Sequence, residues 1–200
     1  MRIKYNAPTV LTFTLLCALI MLLTKTIFPG LTEFWFMVPG RNNFHAGKFN
    51  NWITIITHIM GHANWTHLIN NFTLILLIGP MLEESYGSVS LLIMIVITAL
   101  VTGILNVILF NSYLLGASGV VFMMILLSSF TNFSTGEIPL TFIIVLILYM
   151  GVQFINSSGQ DNISHFAHIV GGLCGSFFGF FRTSGNLRPK GSITAMQRRQ

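Results

Sequence analysis

Acidic residues are nearly absent. Glu33, Glu83, Glu84, Glu137 and Asp161 are all that 200 residues contain, against ten Lys or Arg. Charged residues make up 8% of the chain, where a soluble domain carries about 25%. So few charges cannot solvate the surface of a folded core, which excludes an ordinary soluble domain and leaves a polytopic membrane protein as the expected class. Cysteine is scarce too. Cys17 and Cys174 both fall in apolar runs with no ligand at close spacing, which excludes a disulfide framework or a cysteine metal cluster. They read as small buried hydrophobes. A His-Glu-x-x-His pattern is missing, and no carboxylate accompanies the histidines of residues 58–72, so no metal is expected. Nothing points to a cofactor.

The net charge of +5 does not indicate nucleic acid. Arg182, Arg188, Lys190, Arg198 and Arg199 sit in the last nineteen residues, and Arg2 and Lys4 open the chain. Cations in tails that flank apolar runs orient membrane spans.

What the chain has is apolar length. A helix needs about 20 apolar residues to cross about 30 Å of hydrocarbon. Expected spans cover 8–29, 66–82, 88–110, 117–131, 138–156 and 162–182, the fourth being short. The basic start and first run resemble a signal peptide, but the run is long and no small-x-small cleavage site follows, so a retained span is expected. Six spans put both termini on one side, and the positive-inside rule makes it cytoplasmic. The expected organisation is a cytoplasmic tail over 1–7, a membrane domain over 8–182 and a basic cytoplasmic tail over 183–200. Residues 30–64 form an outer loop. Phe34, Trp35, Phe36, Phe44, Phe49 and Trp52 alternate there with polar residues, as in short helices lying in the membrane interface.

Polar groups inside apolar spans are costly, so each is a functional hypothesis. Residues 58–72 hold His58, His62, His67 and Asn71, and His67 and Asn71 share a helical face at i and i+4. His58 and His62 are expected to hydrogen-bond between helices. Residues 116–119 read Gly-Ala-Ser-Gly and place Ser118 at a helix N-terminus, whose free N–H groups suit an oxyanion. By itself this serine is as well explained by close helix packing. In the last span Gly171, Gly175 and Gly179 recur every four residues, a stripe that admits a neighbouring helix, and His168 borders it. His67, Asn71, Ser118 and His168 all fall in the outer half of the membrane. His168 lies about 9 Å down its helix. Glu83 and Glu84 sit about 24 Å from His67 along the second span and cannot serve Ser118. A Ser–His dyad without a third member is therefore expected.

These residues resemble the rhomboid family of intramembrane serine proteases. The family's spaced histidines followed by His-x-x-x-Asn are matched by His58, His62, His67 and Asn71. Its Gly-x-Ser-Gly is matched by Gly116, Ala117, Ser118 and Gly119, and its alanine–histidine–x–x–glycine by Ala167, His168 and Gly171, with Gly175 following. Gly79, Glu83 and Gly87 match a further pattern after span two. The resemblance covers about residues 52–182. It implies an all-α, six-transmembrane-helix bundle with a membrane-associated first loop. Ser118 would be the nucleophile and His168 the base, with His67, Asn71 and the Ser118 amide holding the oxyanion. Gly116 and Gly119 would shape the turn, and Phe122, Gly171 and Gly175 would support it. Expected partners are transmembrane-helix substrates and the bilayer of the cytoplasmic membrane, with cleavage near the outer boundary and the site open to the outer face. Three positions depart from the commoner pattern: Phe122 replaces a frequent tyrosine, Arg41 follows Gly40 rather than tryptophan, and His165 stands where smaller or amide residues are common. Two other functions are weighed. Non-catalytic rhomboid-fold binding or quality-control relatives typically lack the serine or the histidine, and this chain keeps both. A transporter would line the inner half with polar groups as well.

Overall fold

The computed structural model describes residues 5–130 and 162–185, with Leu140, Ile143, Ile144 and Ile147 between them. Most of the expected fifth span, both Glu137 and Asp161, and nearly all of the basic C-terminal tail lie outside the described residues.

The described residues are helical throughout, apart from loops and one isolated bridge. Helix α1 spans Pro8–Thr26, α2 Leu31–Trp35, α3 Phe49–Thr57, α4 Trp65–Tyr86, α5 Ser88–Leu109, α6 Ser118–Ser128 and α7 Asn162–Gly185. Short 3-10 turns cover Arg41–Asn43 and His58–Met60. Among the described residues, α1, α4 and α5 are long and apolar enough to cross a membrane. Helices α4 and α5 have 22 residues each, or about 33 Å. They face lipid with large apolar side chains such as Leu77, Leu92 and Ile93, as does α1 with Leu15.

Helix α6 is different. It has 11 residues, about half a bilayer, and every residue from Gly119 to Leu127 is buried. A helix apolar on all sides belongs at the centre of a bundle. Enclosed by α4, α5 and α7, it need not reach either surface.

Helix boundaries have local causes. Helix α1 stops at Thr26, three residues short of the expected end, ahead of Pro29 and of Gly30 with φ +92°. Its first turn has no side-chain cap, since Ala7 precedes Pro8. Glu83 of α4 supplies one instead: its two carboxylate oxygens accept from the N–H groups of Thr9 (2.8 Å) and Val10 (3.0 Å). This contact accounts for α4 running four residues past the expected end at 82. At the other end of α4, Asn64 Oδ1 accepts from the His67 N–H at 2.8 Å, a side-chain N-cap.

The loop after α1 carries the expected short helices. Helix α3 docks on α5 where Gly103 leaves room for the Ile55 carbonyl. Val38 and Leu114 exchange backbone hydrogen bonds of 3.0 Å each, tying the loop to the segment before α6.

Candidate functional site

Ser118 is the first residue of α6 and is half-buried. The chain reaches it through Gly116, whose φ of +115° is open to glycine but strained for other residues. The Gly116 N–H donates to the His58 carbonyl at 2.9 Å, which fixes the turn from the loop side. Space at Gly116 is as restricted as its torsion. A Cβ there would sit 2.6 Å from His67 Cε1, 2.7 Å from its Nε2 and 3.9 Å from Asn71 Nδ2. The His67 ring and the Asn71 amide thus lie against the backbone that leads into Ser118. Asn71 is buried, and its Nδ2 finds no hydrogen-bond partner among the described residues.

His168 arrives from the other side. Helices α6 and α7 touch backbone to backbone: a Cβ on Gly171 would run into the Gly119 carbonyl oxygen, and one on Gly175 into that of Met123. The third glycine of the stripe, Gly179, meets the Phe130 ring instead. This contact brings the buried His168, one turn before Gly171, beside the start of α6. Phe122 lies one turn after Ser118 on the same face. Its ring stacks on His168 with centroids 4.3 Å apart and planes at 12°. His165 meets His168 edge-on at 6.4 Å.

The remaining histidines support the loop side. His58 is fully enclosed; its Nδ1 pairs with the Ile55 carbonyl at 3.0 Å and its Nε2 with Thr102 Oγ1 at 3.3 Å. His62 packs edge-on against His67 at 5.0 Å and against Phe72 at 6.0 Å. Burial first, and His67 beside it second, push the His62 imidazole down to about 4, so it stays neutral at physiological pH. Burial likewise pushes His58 down to about 4.

A hydroxyl, an imidazole and amide or imidazole donors therefore converge at the mouth of α6. Every expected site residue in the described part lies in this cluster or in the helix contact beneath it. No group of three metal-ligating side chains occurs among the described residues. The sequence reading missed the work of Glu83, which caps α1, and the His165–His168 contact. Pro8 after an uncapping Ala7 signals a helix start in need of a remote acceptor. His165 stands at i−3 from His168, a spacing that puts both on one face.

This is a helical membrane protein whose serine and histidine sit on two closely packed helices. The Rhomboid domain family model matches residues 50–185, and the chain belongs to the rhomboid family. It is 27% identical over 128 residues to Rhomboid protease GlpG of Haemophilus influenzae, covering 62% of this chain and 67% of that protein. It is 32% identical over 148 residues to Putative rhomboid protease YdcA of Bacillus subtilis, covering 67% and 69%. Rhomboid-related protein 1 of Caenorhabditis elegans is 33% identical over 138 residues, covering 60% of this chain and 36% of that one.

Proposed function

We propose that the chain is an intramembrane serine endopeptidase that cuts transmembrane-helix substrates near the outer membrane boundary with a Ser118–His168 dyad. Ser118 Oγ attacks the scissile carbonyl while His168 takes its proton. The carbonyl oxygen becomes an oxyanion, which accepts from the Ser118 N–H, Asn71 and His67. The proton on His168 then passes to the leaving amine, and water hydrolyses the acyl-enzyme with His168 again as base. A substrate helix must unwind locally first, since its carbonyls are hydrogen-bonded.

One observation carries this reading. The buried Asn71 amide, with a donor that no described residue uses, is held beside the Gly116 turn next to Ser118. A packing serine needs no such neighbour. Membership of a family with protease relatives supports the same conclusion. The test is cleavage of a single-span substrate in proteoliposomes by the parent and by Ser118→Ala and His168→Ala. Cutting by either variant at the parent rate would sink the mechanism.

The proposed location is the cytoplasmic membrane, with both termini inside and the site facing out. His45 is exposed in the first loop. A His45→Cys variant should react with an impermeant thiol reagent added to intact cells; labelling only after lysis would reverse the orientation.

A further inference from the structure

Besides His168 and Arg182, His165 is the remaining charge-bearing side chain in α7. It is partly buried, and its Nδ1 is enclosed without a hydrogen-bond partner among the described residues. Its ring plane stands at 89° to that of His168. Phe122 covers a face of the same imidazole, so His168 is bracketed by one group that cannot carry charge and one that can. Helices α5 and α6 bring no acid, base or histidine to this place. Helix α4 brings His67, whose ring meets that of His62 edge-on at 5.0 Å. Asp161, the nearest acid in sequence, lies outside the described residues.

We propose that His165 is a positioning residue that controls the charge His168 can take. This rests on the protease reading above. When Ser118 loses its proton, His168 becomes an imidazolium. A neutral His165 braces that ring from its edge. A protonated His165 sets a second positive charge 6.4 Å away in a poorly screened site and opposes the step. Charging His165 therefore opposes the dyad even while His168 is still neutral.

The test uses the full chain in liposomes and a fluorophosphonate probe. Ser118 Oγ forms a bond to phosphorus, fluoride leaves, and His168 takes the hydroxyl proton. Labelling rate is followed between about pH 5 and 8. The parent should lose rate towards acid. His165→Gln, uncharged and able to donate, should keep the neutral-pH rate and lose less of it towards acid. Its rate ratio between about pH 5.5 and 7.5 should rise at least about threefold. His165→Lys fixes a positive charge and should slow labelling at neutral pH by about tenfold or more. A Gln profile that superimposes on the parent's would overturn the proposal, as would a folded Lys variant that labels at the parent rate. If the Lys variant does not fold, the Gln profile decides. Absence of Ser118-dependent labelling in the parent would instead overturn the protease reading, and this one with it.

Discussion

The two ends of α4 treat their buried polar groups in opposite ways. At the C-terminal end, both carboxylate oxygens of Glu83 are taken up by the N–H groups of Thr9 and Val10. At the N-terminal end, Asn71 Nδ2 and, in the loop just before the helix, His62 Nε2 are enclosed with no partner among the described residues. Leaving a buried donor unmade costs about 1 to 3 kcal/mol. A chain that saturates one end and leaves the other open tolerates that cost where the vacancy has a use. Under the proposed mechanism, the amide held beside Gly116 would be preorganised for charge that appears only during reaction.

Variants at the two ends should therefore fail differently. The largest effect belongs to Ser118→Ala and His168→Ala, each expected to lower cleavage by about a thousandfold or more. Ser118→Ala removes only a hydroxyl, so its thermal unfolding in detergent should stay close to the parent's, whereas His168→Ala also loses the stack on Phe122. A large loss of Tm in the serine variant would erase the contrast. Next come Asn71→Ala and His67→Ala, which should each lower kcat by about ten- to a thousandfold with little change in KM. Removing the unpaired Asn71 donor should also leave stability unchanged or raise it. If Asn71→Ala unfolds the protein at normal turnover, Asn71 belongs with Glu83 as a structural group.

Sequence alone made the N-terminal end of α4 and its neighbours legible because their polar residues are costly in a membrane, and cost marks them out. His67, Asn71, Ser118 and His168 stand in apolar runs where helical spacing gives depth to within a turn. The existence of α1, α4 and α5 was readable from apolar length. The ends were not, because they depend on contacts between distant segments. Helix α4 extends to Tyr86 partly because Glu83 reaches α1, some 74 residues away in sequence. The brevity of α6 showed in its apolar length, but its complete enclosure needs the neighbouring helices. The His165 contact was written as a spacing, yet only ring orientation distinguishes it from an outward-facing histidine.

Glu83→Gln gives the intermediate effect. The amide keeps one acceptor oxygen and places an N–H₂ group against a backbone N–H, so one of the two caps is lost. The expected cost is about 1 to 2 kcal/mol of stability, with turnover at the permissive temperature within about twofold of the parent. A drop in kcat without a drop in Tm would mean that the Glu83 latch is coupled to the site, and the two ends would no longer be independent.

The smallest effect falls at Phe122, where packing and chemistry overlap. Its ring is 2% exposed and lies nearly parallel to His168. Phe122→Leu conserves apolar bulk but removes the flat face that fixes the imidazole plane. An aromatic pair contributes about 0.5 to 1.5 kcal/mol beyond its buried area, so turnover should fall by about two- to tenfold. Phe122→Tyr keeps the face and adds a hydroxyl to an enclosed position, where it costs stability unless it finds a partner. Equal turnover in the parent and both variants would show that α7 packing through Gly171 and Gly175 orients His168 unaided. A loss in the leucine form alone would assign that orientation to the ring.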